Sequence, residues 1–219
     1  MTTPCILLTG FEPFGGEAVN PSWEIARALD GWPGAGIPVR TALLPCVFGD
    51  AIQRLDAALS EWRPTLVLCL GQAGGRDGMS IERAALNVDD ARIPDNGGRQ
   101  PIDDAVVADG PAAYFSTLPI KAIVHDLRAA GIAAAVSNTA GTFVCNHVFY
   151  ALMHRLATSP ALARTRGGFV HVPWLPEQAT SRTGVHSMAL ATQVEALRVA
   201  IRCALATHRD IRETAGQTH

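Results

Sequence analysis

Short apolar runs that are typical of buried β-strands alternate along this chain with longer segments whose apolar residues recur every three or four positions. The strand candidates are residues 5–9, 39–44, 65–70, 81–88, 132–136 and 168–172. The helix candidates are residues 21–29, 49–62, 120–130, 144–156 and 187–206. Because strands that alternate with helices pack as a mostly parallel sheet, the sequence predicts an α/β fold with helices on both faces of that sheet.

Composition limits the classes of protein that this chain can form. Its 219 residues suit one domain, and an apolar content of 48% indicates a folded protein. We therefore expect a single domain over residues 1–208, followed by a polar tail at 209–219 that frays. A formal net charge of −2 gives no electrostatic basis for binding nucleic acid or an anionic membrane. No apolar run approaches the ~20 residues of a membrane span, and residues 1–9 lack the pattern of a signal peptide.

The five cysteines include no CxxC pair and no Cys/His spacing typical of a zinc site, which favours a reducing cytoplasm. Residues 89–119 are rich in Asp, Gly and Pro and predict a long loop. The aspartates of this loop fit no calcium-binding pattern, so we interpret them as a solvated surface and expect no metal ion. These aspartates are Asp89, Asp90, Asp95, Asp103 and Asp104.

Cys145 is the best candidate for a nucleophile. It lies between a strand candidate and a helix candidate, and therefore near a helix N-terminus, where unpaired N–H groups and the helix dipole favour a thiolate. Ligands of open α/β sheets bind at the edge where such turns gather. A buried cysteine is more often an inert apolar residue, and this is our interpretation of Cys5, Cys69 and Cys203, with Cys46 left open.

A thiol nucleophile needs a base, and the base needs an acceptor that orients it. His171 ends a strand candidate, so it and Cys145 would meet where parallel strands end; the alternative is a structural histidine. His147 is a poor partner, because residues two apart on a helix do not face each other. Glu82 is the candidate acceptor; the alternative is an exposed glutamate of an edge strand, paired with Arg83 or another arginine.

Two glycine-rich turns, residues 10–16 and 71–75, follow strand candidates. Neither matches the known phosphate-binding loops, so nucleotide binding has little support. The turns allow the backbone to approach a small ligand. Phe11 and Phe14 either line a flat apolar pocket there or pack in the core.

Five segments, in order, resemble the pyroglutamyl peptidase I family of cysteine peptidases. They are LTGFEPFGG (8–16) with NPSW (20–23), GQAGG (71–75), ERAALN (82–87) with DARIPDN (90–96), AGTFVCNHVFYALMH (140–154) and GFVHVPWLPEQ (168–178). The resemblance implies a single-domain, three-layer α/β/α sandwich with a mostly parallel central sheet, a cytosolic location, a homotetramer, and neither a metal nor an organic cofactor.

The same resemblance implies a catalytic triad of Cys145, His171 and Glu82. Such a triad would hydrolyse the N-terminal pyroglutamyl residue from peptides through a thioester acyl-enzyme. The resemblance further implies a flat apolar pocket for the uncharged lactam ring, with the candidate residues Phe11, Phe14, Ile93, Phe143 and Val144. Backbone groups near Gln72 are expected to bind the lactam, Asn20 to brace that loop, and Arg92 to lie near the oxyanion.

Two other classes of function remain open from the sequence. A nucleoside phosphorylase on a related scaffold would need a phosphate site, and the glycine-rich turns have no cluster of basic residues near them. A catalytically inactive binding protein of the same fold would not need Cys145, His171 and Glu82, all of which are intact.

Overall fold

A computed structural model describes residues 4–180 and 182–216 of the chain. Its strands, in chain order, are β1 (Ile6–Phe11), β2 (Pro33–Gly34), β3 (Ile37–Leu44), β4 (Leu66–Gln72), β5 (Met79–Glu82), β6 (Ala84–Leu86), β7 (Ala113–Phe115), β8 (Ala134–Ser137) and β9 (Arg166–Val172). Seven of them form one sheet in the order β2-β3-β1-β4-β9-β5-β8, and β6 pairs with β7 separately. The predicted mostly parallel sheet is confirmed, because β3, β1, β4 and β9 all run parallel.

Helices cover both faces of this sheet, as predicted. On one face α1 (Pro21–Ala28), α3 (Ile120–Ala129) and α6 (Leu190–Ala206) pack into one apolar cluster. On the other face α2 (Asp50–Trp62) and α4 (Val144–Thr158) pack into a second cluster. A short helix, α5 (Pro176–Ala179), and a 3₁₀ turn, Pro160–Leu162, are the other helical segments of the described residues. No helix among the described residues is long and apolar enough to cross a membrane.

The direction of β8 differs from the prediction. β8 runs parallel to β5, and β5 runs antiparallel to β9, so β8 ends away from the edge at which β4 and β9 end. Helix α4 runs back toward the start of β9, where Leu152 and Leu156 lie against Gly167. The N-terminus of α4 therefore lies at the carboxyl edge of the parallel strands. The expectation that Cys145 and His171 both follow parallel strands is wrong, and it is α4 that brings the cysteine to this edge.

The two segments predicted to be irregular are held by specific hydrogen bonds. In the loop that begins at residue 89, the Asp95 carboxylate accepts the N–H groups of Phe48, Gly97 and Arg99. The described part of the tail, residues 209–216, is attached to α3, because Asp210 accepts two N–H groups at the start of that helix. This part is therefore bound rather than frayed. Residues 1–3 and the last three residues of the predicted tail lie outside the described residues, and the single domain over 1–208 stays a prediction.

Candidate active site

A buried carboxylate–imidazole pair joins β9 and β5 near the carboxyl end of β9. His171, near the end of β9, is 4% exposed, and Glu82, at the end of β5, is fully buried. The two side chains share a hydrogen bond of 2.8 Å between His171 Nδ1 and Glu82 Oε1. Glu82 is therefore not an exposed glutamate of an edge strand. Its arginine partner is Arg76, whose Nη1 donates to the same Oε1 atom at 3.0 Å, whereas Arg83 bonds to other groups.

The Cys145 thiol lies against the residue of β4 that is paired with His171. Cys145 is the second residue of α4, and its Sγ lies against Gly71, so closely that a Cβ atom on Gly71 would be 2.8 Å from the sulfur. Gly71 is paired with His171 in the β4–β9 ladder. The N–H groups in the first turn of α4 have no partner within the helix, and Phe143 supplies no side-chain cap. These N–H groups are available to donate hydrogen bonds to the oxyanion that forms when the sulfur attacks a carbonyl carbon.

Burial shifts the pKa values of the Cys145 thiol and the His171 imidazole. Burial raises the pKa of the Cys145 thiol, and the Glu82 carboxylate raises it further. Burial also lowers the pKa of His171, against the opposing effect of its hydrogen bond to Glu82. Burial thus works against the thiolate that the helix N-terminus favours. Both shifts favour the neutral forms of the thiol and the imidazole over a thiolate–imidazolium pair.

Comparison with known proteins decides the family to which this site belongs. The sequence model of the pyroglutamyl peptidase family matches residues 5–207. The chain belongs to the pyroglutamyl peptidase family. It is 61% identical to the pyrrolidone-carboxylate peptidase of Cupriavidus taiwanensis, over 99% of this chain and all of that protein.

Solved structures agree with this assignment. The chain is similar to pyroglutamyl peptidase I from Bacillus amyloliquefaciens, with a TM-score of 0.92 and 43% identity over 98% of this chain and all of that one. It is also similar to a mutant pyrrolidone carboxyl peptidase from Pyrococcus furiosus, with a TM-score of 0.88 and 44% identity over 92% of this chain and 98% of that one. The alternative of a nucleoside phosphorylase is therefore wrong, because the chain is a pyroglutamyl peptidase of the cysteine peptidase class.

Aromatic side chains gather at the start of α4 in this pyroglutamyl peptidase. The rings of Phe14 and Phe143 have centroids 6.3 Å apart, and Phe48 packs edge-on against Phe143 at 5.4 Å. Phe11, at the end of β1, and Val144 are buried in the same apolar cluster. Phe48 is a neighbour of these residues that the sequence did not single out.

Arg92 and Ile93 lie on the segment that follows β6, and both are exposed. This segment is tied to the residue before Phe143. The N–H of Asp90 donates to the Thr142 carbonyl at 2.9 Å, and the Thr142 hydroxyl donates to the Asp90 carbonyl at 2.7 Å. Arg92 and Ile93 thus belong to a segment that is attached beside the aromatic residues, although they are not part of the buried cluster.

Two amides brace the loops around this edge, and one of them does so differently from the prediction. The Gln72 Oε1 atom accepts a hydrogen bond from Gln178 at 3.1 Å. Asn20 donates to the Glu12 carbonyl at 3.0 Å and accepts from the N–H and hydroxyl of Ser22. Asn20 therefore braces the loop after β1 rather than the loop at Gln72, because it caps the helix α1 that packs beside β1.

The sequence missed a second buried histidine–carboxylate pair. His147 Nδ1 lies 2.7 Å from Asp89 Oδ2, and its Nε2 accepts the N–H of Gly49 at 2.9 Å. With both ring nitrogens engaged, His147 is not the base for Cys145. The interpretation of the loop aspartates as solvated is wrong for Asp89 and Asp95, which are buried. Among the described residues no group of three or more His, Cys, Asp or Glu side chains is placed to hold a metal ion.

Asn146 is another structural residue that the sequence analysis missed. It is fully buried, and its amide accepts the Leu86 N–H and donates to the carbonyls of Leu86 and Val88, each at 2.9 Å. It thereby fastens strand β6 to α4 next to Cys145. The available signal is that two polar residues, Asn146 and His147, interrupt an apolar helix.

Proposed function

We propose that Cys145, His171 and Glu82 form the catalytic triad that hydrolyses the N-terminal pyroglutamyl residue from peptides. The observation that supports this most directly is the buried 2.8 Å hydrogen bond between His171 and Glu82, at the edge where the Cys145 sulfur lies against Gly71. Because Nδ1 of His171 is bound to Glu82, Nε2 is the nitrogen left to exchange a proton with the thiol.

The reaction begins from the neutral pair. His171 Nε2 takes the thiol proton as Sγ of Cys145 attacks the pyroglutamyl carbonyl carbon, and the N–H groups at the start of α4 stabilise the oxyanion. Arg92 is the candidate neighbour of this oxyanion. The imidazolium, stabilised by Glu82, then protonates the leaving amine, which leaves a thioester on the sulfur. Water attacks the thioester with His171 as base and releases pyroglutamate and the free thiol.

Specificity requires a pocket for a flat, uncharged ring. The proposed pocket is lined by Phe11, Phe14, Ile93, Phe143 and Val144, and backbone groups near Gln72 bind the lactam. A prolyl residue has the same ring size without the lactam carbonyl, and so leaves a buried donor without a partner. Such omissions discriminate between substrates by factors of about 10⁴ or more.

The proposal extends to the oligomeric state of the protein and its location in the cell. Ile102 and Phe115 are each 71% exposed, and burial between subunits would remove their apolar surface from water. We infer a homotetramer, which light scattering after gel filtration tests directly. A catalytic thiol must stay reduced, so we also infer a cytoplasmic location. We propose that activity needs no metal or organic cofactor, which dialysis against a chelator tests.

The decisive experiment is release of p-nitroaniline from pyroglutamyl-p-nitroanilide. The wild type and Cys203→Ala, which removes a buried thiol on the opposite face of the sheet, should cleave it, and Cys145→Ala should not. None of the three should cleave prolyl-p-nitroanilide. Inactivity of the folded, reduced wild type would contradict the proposal and favour a catalytically inactive binding protein.

A further inference from the structure

Arg76 shares an acceptor with the catalytic base. It lies in the turn between β4 and β5, and its Nη1 is 3.0 Å from Glu82 Oε1, the oxygen that also bonds to His171. The other oxygen, Oε2, has no hydrogen-bond partner among the described residues. The Arg76 side chain is 29% exposed, whereas that of Glu82 is 0% exposed. A solvent-reaching cation thus contacts a carboxylate that water does not reach.

A fully buried carboxylate is unstable unless a cation or several hydrogen bonds compensate its charge. The neutral imidazole of His171 offers Glu82 only one N–H group. The titratable groups that act on Cys145 and His171 come from four elements: Glu82 from β5, Arg76 from the turn, Cys69 from β4, and Cys46 from the loop after β3. Arg76 is the one cation among these groups.

We propose that Arg76 is a positioning residue whose charge compensates the buried carboxylate of Glu82 and opposes a second cation at His171, so that the imidazole stays neutral and correctly oriented. The proposal rests on the triad of the proposed function. It assigns no contact with substrate to Arg76.

The position of Arg76 supports a role in orienting Glu82 and His171 rather than in binding substrate. Arg76 lines a cavity of about 620 Å³ together with residues of β5, β8 and the turns beside them, including Ser80, Ser137 and Thr139. The aromatic residues of the proposed substrate pocket belong to a different cluster, on the α4 side of the sheet. Loss of Arg76 should therefore affect proton transfer and leave substrate binding intact.

Without the guanidinium, the Glu82–His171 pair should bind one proton more tightly. If the proton goes to the imidazole, His171 no longer accepts the proton of Cys145. If it goes to the carboxylate, Glu82 no longer stabilises the imidazolium. In both cases the pair titrates as a unit, and the acid limb of the activity profile moves to higher pH. This direction agrees with the electrostatic effect of Arg76, which lowers the pKa of both His171 and Cys145.

The test is kcat and KM for pyroglutamyl-p-nitroanilide as a function of pH in the wild type and three variants. Arg76→Gln should move the acid limb of kcat to higher pH and lower kcat at pH 7 by about tenfold, with KM unchanged. Arg76→Lys keeps the positive charge but replaces the planar guanidinium with a single ammonium group. The acid limb of its kcat profile should therefore lie between those of the wild type and Arg76→Gln. The control is Arg83→Gln, which removes the neighbouring arginine that bonds to Asn138 and the Ala215 carbonyl and should leave the profile unchanged.

A kcat that falls equally at every pH, or an unmoved limb, in Arg76→Gln would overturn the proposal and indicate a purely structural role. Should Arg76→Gln not fold, the limb of Arg76→Lys decides in the same way. The rate of iodoacetamide labelling of Cys145 against pH gives the same comparison without turnover. An inactive wild type would instead contradict the proposed function, so the two failures are distinguishable.

Discussion

Substitution of Gly71 by alanine tests the position of the reactive sulfur. The φ angle of Gly71 lies outside the left-handed region, so alanine is permitted by the backbone at this site. The added Cβ would lie 2.8 Å from Cys145 Sγ and 2.8 Å from the Phe169 ring. Atoms of this size make contact at about 3.5 Å or more, so the sulfur, the ring or the strand must move by about 0.7 Å.

The expected magnitude follows from that displacement. A misplacement of about 1 Å in a catalytic group costs about a hundredfold in rate, so Gly71→Ala should lower kcat/KM by between about tenfold and about a hundredfold. Overpacking against Phe169 should also lower the free energy of unfolding by about 1–3 kcal/mol. The loss of rate should exceed what partial unfolding explains.

The assay is kcat/KM for pyroglutamyl-p-nitroanilide beside thermal unfolding of the same samples. The matched control is Gly167→Ala on β9, whose Cβ would meet Leu156 and Leu152 at 3.1 and 3.2 Å, far along α4 from the thiol. It should lower the melting temperature and leave kcat/KM unchanged. A folded Gly71→Ala variant with wild-type kcat/KM would refute the placement of the sulfur against β4.

Three further predictions concern the pair and the tail. Glu82→Gln keeps the shape and removes the charge that stabilises the imidazolium, so kcat/KM should fall by about a hundredfold or more; a smaller loss than that would argue against the triad. Burial lowers the pKa of His171, so the neutral imidazole persists as the pH falls. The acid limb of the kcat/KM profile of the wild type should therefore lie below the ordinary histidine pKa of about 6.5. A limb above that pH would contradict the burial of the Glu82–His171 pair. Asp210→Ala removes two hydrogen bonds at the start of α3. It should lower the free energy of unfolding by about 1 kcal/mol, which corresponds to a fall of about 2–4 °C in melting temperature, and should leave kcat unchanged. An unchanged melting temperature would mean that the tail contributes nothing to stability.

Periodicity predicts most elements of this fold because their apolar faces are long. The predicted helix at 21–29, for example, is observed as Pro21–Ala28, and the structure shows Pro21 in its first turn and Asn20 as its N-cap. The directions of β5 and β8 were not predicted, because strands of four residues carry no directional signal of their own. The six residues between β4 and β5 are a signal that could have been used, since a parallel crossover needs a dozen or more residues.

The candidate site likewise contains residues that a local pattern in the sequence points to and residues that only the folded chain brings together. Cys145 and His171 could be proposed from the sequence because a nucleophile and a base are expected where helices begin and strands end. The Asp89–His147 pair spans 58 residues of sequence and has no local pattern, so the aspartate is indistinguishable from its solvated neighbours until the chain is folded. Arg76 belongs to the same class, because only burial of its partner Glu82 gives the contact its electrostatic importance.

Burial of Cys145, which favours its neutral thiol, has a consequence for covalent ligands of this enzyme. A thiol that ionises only as it attacks reacts slowly with electrophiles that merely diffuse past, and fast with one that is held in line with the sulfur while His171 removes the proton. Warhead strength should therefore matter less than the recognition element to which the warhead is attached. A weak electrophile carried on a pyroglutamyl ring should label Cys145 ahead of a strong one without the ring, and should spare the other four cysteines.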